Sequence, residues 1–414
     1  MVFAIDKTKK KPRLYLIFEE ELILIYDFDE IIDRKSDLSA KYNEVEAKYG
    51  RDDIIPLWIA DMDFAVAEPI VQAMGERLSK GAFGYTTRPS FYNQSIMNWF
   101  KERHDWEIQE DWLMFSPGVI PSISLIIQNF TQEGDKIIIQ EPVYSPFFSV
   151  VKDNNREVVI NSLKKEACGK YVMDFDDLES KIDDKTKMMI LCSPHNPVGR
   201  VWTKEELERL GQICLKHNIR IISDEIHCDL TYKGVKHIPI ASLSEELKKA
   251  TITCIAPSKT FNIPGLQASA IVLPNKEDYK VMEDAFTKID IKRNNCFSLV
   301  ATHAAYSKCG GWLHQLNQYI EKNADFVVDY INKNIPKLKV NKPEGTFLLW
   351  IDFSELGMDD KTLREFVINE AKLALNDGAT FGTSGKGYQR MNIACPKSVL
   401  EEALNRLKVA IDKL

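Results

Sequence analysis

The stretch Thr251-Ile-Thr-Cys-Ile-Ala-Pro-Ser-Lys-Thr-Phe-Asn-Ile-Pro-Gly265 joins a β-branched run to a tight polar turn. The run predicts a buried strand and the turn marks its end, so Lys259 is presented at the rim of a sheet. A protonated lysine is a poor nucleophile. Carbonyl chemistry needs it desolvated or beside other positive charge, so that its pKa falls, and Lys259 is on this ground a candidate Schiff-base lysine. Taken alone the Ser258-Lys259 pair decides little. A surface lysine after a strand reads the same way, and Ser-Lys recurs at Ser79-Lys80, Ser180-Lys181 and Ser307-Lys308.

Two upstream segments change the reading. The apolar run Met188-Met-Ile-Leu-Cys192 leads into Ser193-Pro-His-Asn-Pro-Val-Gly-Arg200, whose prolines and glycine forbid continued helix or sheet. Asn196 is thereby held on a turn at a strand end; by itself it would read as an Asx-turn residue. Next, Ile219-Arg-Ile-Ile222 runs into Ser223-Asp-Glu-Ile-His-Cys-Asp229, which puts Asp224 at another strand end, where an N-cap or a surface ion pair is the plainer role. Ligands of open α/β sheets bind outside the carboxyl ends of the strands. Asn196, Asp224 and Lys259 can converge there. With Lys136-Ile-Ile-Ile-Gln140 and Ala270-Ile-Val-Leu273 added, residues 69–298 alternate helical stretches with short strands, the pattern of a mainly parallel sheet.

From about Tyr26 to its C-terminus the chain resembles the fold-type I pyridoxal-phosphate enzymes of the class I/II aminotransferase superfamily. Ser-Lys and Asn-Pro-Val-Gly mark the superfamily. Pro56-Leu-Trp-Ile-Ala-Asp-Met-Asp-Phe64, Ser193 to Arg200 and Ser223-Asp-Glu-Ile-His227 are similar to its cystathionine β-lyase (MalY/PatB) branch. The resemblance implies an α/β fold with a large cofactor-binding domain, residues 69–298, and a discontinuous α+β small domain, residues 26–68 and 299–414. It also implies pyridoxal 5'-phosphate held by Lys259, with Asp224 at the ring nitrogen, Asn196 at the 3-oxygen and Tyr144 stacked on the ring. His227 stands where many relatives carry a tyrosine facing the cofactor; a satisfied structural histidine is the other reading. Gly118, Val119 and Ile120, in Ser116-Pro-Gly-Val-Ile-Pro-Ser122, match a phosphate-binding helix start, joined by the Ser258 hydroxyl. Gln267 replaces an arginine found in aspartate aminotransferases, so neutral donors are expected to carry more of the phosphate.

Tyr85 matches a tyrosine that reaches the phosphate of a neighbouring subunit, which implies a homodimer. Arg390, in Tyr388-Gln-Arg-Met-Asn392, matches the arginine that takes the substrate α-carboxylate as a bidentate fork, with Trp58 also placed on the substrate. The activity implied is a carbon–sulfur β-lyase acting on L-cystathionine or a related cysteine conjugate, giving a thiol, pyruvate and ammonia. An aminotransferase would share every one of these residues. A regulatory protein using the fold to bind a partner is an alternative of another class.

Composition is compatible with this reading. The 414 residues suffice for two or more domains, and a net charge of −7 argues against nucleic acid as a main partner. The eight cysteines are scattered without metal-ligand spacing, as expected of reduced thiols in a cytoplasmic protein. Near the N-terminus, Lys7, Lys9, Lys10, Lys11 and Arg13 precede Leu14-Tyr-Leu-Ile-Phe18. That apolar run is far short of a membrane span, so residues 1–25 are expected to be a peripheral extension, and no membrane association is expected. Thr346 to Asp352 predicts a strand, and helices are expected around Cys309 to Asn334, from Asp360 to Leu375 and from Lys397 onward.

Overall fold

A computed structural model of the chain describes residues 2–6, 13–18 and 21–414, with side chains described from residue 24. The basic run at Lys7 to Lys11 lies outside the described residues. The N-terminal extension supplies β1 (Val2–Asp6), β2 (Arg13–Phe18) and β3 (Glu21–Leu24), an antiparallel sheet of their own. Gln315 holds its exit, accepting from the Tyr26 N–H at 3.1 Å and donating to the Leu24 carbonyl at 2.9 Å.

The central sheet has seven strands: β4 (Leu113–Ser116), β5 (Lys136–Ile139), β6 (Glu157–Ile160), β7 (Thr186–Cys192), β8 (Arg220–Asp224), β9 (Thr251–Ile255) and β10 (Ser269–Val272). Their order is β4-β10-β9-β8-β7-β5-β6, and only β10 runs antiparallel to its neighbours. Side chains alternate between two apolar clusters. Ile137, Ile139, Met188, Ile190 and Ile222 enter one, while Ile138, Met189, Leu191 and Ile221 enter the other. Both faces of the sheet are thus covered, which is why these strands read as continuous apolar runs rather than as alternating ones.

A second, antiparallel sheet contains β11 (Lys339–Val340), β12 (Leu348–Asp352), β13 (Asn376–Asp377) and β14 (Tyr388–Asn392) in the order β11-β12-β14-β13. Arg390 is the middle residue of β14, paired with Trp350 on one side and Asn376 on the other. Among the helices, α1 (Glu68–Ser79) packs on α4 (Cys296–Lys308), with α2 (Val119–Phe130) and α3 (Lys204–Lys216) between them in the chain. The long α5 (Gly310–Asn334), α6 (Asp360–Asn369) and α7 (Lys397–Ile411) complete the C-terminal part.

One expectation is corrected. Helix α6 stops at Asn369 rather than at Leu375, because Lys372 turns the chain with φ +52° and Leu373–Ala374 then pairs in parallel with Ile55–Pro56. Residue 298 lies inside α4, which packs on α1, so we propose the boundary between the large and small domains after Lys308, where α5 begins.

Candidate active site

The register of the central sheet puts Cys192 beside Asp224 and Asp224 beside Cys254, so the ends of β7, β8 and β9 lie next to one another. The segments leaving these three strands therefore share one space. Asn196 comes from the turn after β7, Asp224 and His227 from the end of β8, and Ser258 and Lys259 from a single helical turn after β9. These five residues line a cavity of about 260 Å³. Tyr144 lines it too, held edge-on against Phe147, as do Gly118, Val119 and Ile120 at the start of α2.

Burial governs the electrostatics. Lys259 is pushed down to about 8, first by desolvation; Arg390 lowers it further, while Asp61 and Asp224 oppose the shift. Its Nζ donates to the Ala60 carbonyl at 2.5 Å. Asp224 is pushed up to about 7, again by desolvation, with the Glu225 charge adding to the shift and the Ile226 N–H and Lys259 resisting it. The one hydrogen bond of its carboxyl to the described residues is accepted from the Ile226 N–H at 3.1 Å. Desolvation, Lys259 and Arg390 together hold His227 down at about 3, so its imidazole is neutral, and its Nδ1 has no partner among the described residues.

Arg390 is buried, and burial lowers its guanidinium to about 10. Its partners are all neutral: Asn196 Oδ1 at 3.1 Å, the Trp58 carbonyl at 2.9 Å and Asn376 Oδ1 at 2.6 Å. Its Nε has no partner among the described residues. A buried cation with no carboxylate of its own is costly, and a ligand carboxylate entering beside it would relieve that cost.

In the wall of the cavity, the N–H groups of Val119 and Ile120 find no acceptor among the described residues, and no side chain caps the helix. Free N–H groups at a helix start are an anion site in waiting. Gln267 also lines the cavity, where an amide stands in place of a charged side chain.

Three expected residues do not line the cavity: Trp58, Tyr85 and Arg390, the last of which is joined to it through Asn196. The Trp58 indole is turned away, packed edge-on against Tyr49 with Lys48 over its face, and donates to the Lys41 carbonyl at 3.0 Å. Trp58 contributes a backbone carbonyl to Arg390. Tyr85 is 97% exposed and leaves the site of its own chain untouched.

Other contributors were missed in the sequence. Asn376 and Asn392 bind Arg390 and the Ile59 and Asp61 carbonyls, while Asn262 binds both carbonyls flanking Asp63, those of Met62 and Phe64. Asp229 collects Trp99, Arg103, His104 and Thr260 beneath the Lys259 turn. The acidic string Asp61-Met-Asp63 was the one available signal, and nothing local told which partners it would find.

A cofactor with a protonated ring nitrogen, a 3-oxygen, a carbonyl and a phosphate matches this donor set. The free Asp224 oxygen, the Asn196 amide, the Lys259 amine and the α2 N–H groups present one complement to each. Comparison with known proteins agrees. The model of the aminotransferase class I and II family matches residues 52–407. The chain is 40% identical to cystathionine β-lyase PatB of Bacillus subtilis (strain 168), over 93% of its own length and all of the relative's. Among solved structures, a pyridoxal-phosphate-bound protein of Clostridium difficile 630, provisionally described as an aminotransferase, superposes with a TM-score of 0.92 at 59% identity, covering 94% of this chain and 100% of that one. The pyridoxal-phosphate-bound C-S lyase of Staphylococcus hominis does so with a TM-score of 0.87 at 34% identity, covering 93% and 98%.

Proposed function

The chain belongs to the class I and II aminotransferase family, and from that premise we propose that it is a pyridoxal-phosphate-dependent carbon–sulfur β-lyase. Its substrate is L-cystathionine or a related cysteine conjugate, and its products are a thiol (homocysteine from cystathionine), pyruvate and ammonia. One observation carries the reading: a desolvated amine and a buried carboxyl with an open oxygen line one cavity, and a buried arginine with no acidic partner is bonded to the cavity-lining Asn196. The names of the relatives at 40% and 34% identity favour lyase over transaminase chemistry.

The bound cofactor supplies an electron sink for the pair left behind when the Cα–H bond breaks. The chain's own residues do the rest. Arg390 takes the substrate carboxylate as a fork and so fixes the amino acid with its Cα toward Lys259. Burial lowers the Lys259 amine to about 8, which favours the free base, and this amine would remove the Cα proton. Such proton transfer contributes ~10²- to 10⁴-fold. The carboxylate of Asp224 would hold a proton at the ring nitrogen, and the Asn196 amide would donate to the 3-oxygen. Tyr144 would pack against the ring, His227 would add a neutral imidazole, and Gly118, Val119, Ile120 and Ser258 would receive the phosphate.

Tyr85 would act across a homodimer: it is exposed on its own chain, as are Phe83 and Phe91. The eight cysteines are unpaired, which supports a reducing, cytoplasmic setting. No helix among the described residues is long and apolar enough to cross a membrane.

Purified protein incubated with cystathionine and no 2-oxo acid tests the proposal. Pyruvate formed without an acceptor supports the lyase. Turnover only with a 2-oxo acid would make the chain an aminotransferase, and no turnover in either condition would favour a binding role.

A further inference from the structure

The guanidinium of Arg390 is clamped by neutral groups. Asn196 Oδ1 accepts from Nη1, the Trp58 carbonyl and Asn376 Oδ1 accept from Nη2, and the Nε–H has no partner among the described residues. The Phe381 ring lies against the guanidinium, its centre 5.0 Å from Cζ.

The three acceptors are not alike. Trp58 offers a backbone carbonyl, whose charge no change of side chain can alter, and Asn196 also lines the cavity. Asn376 is the direct cross-strand partner of Arg390 between β13 and β14, and the Cβ atoms of such a pair stand about 5 Å apart on one face. The partner on the other side is Trp350, an apolar ring. Position 376 therefore decides whether the buried cation meets a fixed anion.

An acid does stand in β13, one residue further on. Successive side chains of a strand point to opposite faces, and Asp377 accepts from Arg364 Nη1 at 2.6 Å and from Gln389 Nε2 at 3.2 Å, away from Arg390. The strand is anchored just before Asn376, where the Tyr49 hydroxyl donates to the Leu375 carbonyl at 3.1 Å.

We infer that Asn376 is a specificity-determining residue: as a neutral acceptor it fixes the Arg390 guanidinium in place and leaves its charge to the α-carboxylate of an amino-acid substrate. This rests on the reading of Arg390 as the carboxylate fork. An acid at position 376 would form the buried ion pair itself. Because a buried cation without an anion is costly, such an acid would steady the fold while it shuts out the substrate carboxylate. Those opposite changes separate this role from packing alone.

The test compares L-alanine with ethylamine, which lacks the carboxylate, through the absorption change each produces in the holoenzyme. In Asn376→Asp the affinity for L-alanine relative to ethylamine is expected to fall about tenfold or more, while the thermal midpoint of the cofactor-free chain holds or rises. If Asn376→Asp does not fold, Asn376→Glu is read in the same way. An unchanged affinity ratio in a folded acidic variant would overturn the proposal, as would a ratio that falls together with the thermal midpoint, the mark of disturbed packing. Wild type that binds L-alanine no better than ethylamine would instead remove the reading of Arg390, and this inference with it.

Discussion

At the scale of single residues, each proposed role differs by what it should lose. Lys259→Ala removes the only lysine among the described residues that line the cavity. Borohydride is then expected to leave no cofactor covalently fixed to the chain, and mass spectrometry of reduced wild type should find the label on Lys259 alone. Label on another lysine would remove the central assignment. Arg390→Lys keeps a charge but not the planar fork. Loss of one charge-assisted pair costs roughly 1.5 to 3 kcal/mol, so steady-state kinetics should show more than a tenfold fall in kcat/KM with a raised KM. The absorption spectrum of the resting holoenzyme should stay as in wild type, because Arg390 serves the substrate.

At the scale of elements, the loop between β13 and β14 ties the second sheet to the turn that carries Tyr144. Glu141 accepts from the Thr383 N–H at 3.0 Å and from its hydroxyl at 2.7 Å, while the Val143 N–H donates to the Phe381 carbonyl at 2.9 Å. Gly382 makes this approach possible: its φ is +119°, and a Cβ there would stand 2.2 Å from Glu141 Oε2 and 2.8 Å from its Cβ. Gly382→Ala thus combines backbone strain with a clash. We expect it to destabilise the chain by about 1 to 3 kcal/mol in urea unfolding, and to weaken cofactor retention as Tyr144 shifts. A variant as stable as wild type would mean that the loop yields freely.

At the scale of the whole molecule, the site is held against the folded state's own preference. In the cofactor-free chain Asp224 has a pKa of about 7, well above an ordinary carboxyl. Between about pH 4 and pH 7 the unfolded chain therefore releases this proton more readily than the folded one, and stability is lost as pH rises through that window. Each pKa unit corresponds to about 1.4 kcal/mol, so the burden at pH 8 reaches up to roughly 4 kcal/mol. Asp224→Asn should accordingly melt higher than wild type at pH 8 when both lack cofactor, with the difference vanishing near pH 4, as thermal unfolding at the two pH values will show. The same variant should lose most turnover, since an amide cannot keep the ring nitrogen protonated. Near-normal rates would make Asp224 structural.

The apolar runs at Met188, Ile219 and Thr251 and the polar turns after them are local patterns. They sufficed to place Asn196, Asp224 and Lys259 at neighbouring strand ends, because side chains on adjacent parallel strands need no distant information to share a rim. The family strings added the cofactor and the lyase chemistry. Other features were settled only by contacts between distant segments. The Trp58 ring follows Tyr49 and Lys48 away from the cavity, and α6 ends early because Leu373–Ala374 must meet Ile55–Pro56. Arg390 lacks an acidic partner because the neighbours brought to it by β13 and the Asn196 turn are amides. The pairing of Asp61 and Asp63 with Arg34 and Lys41 has no period or motif that could announce it. Charge pairing is satisfied in space, and only the folded chain decides which charges meet.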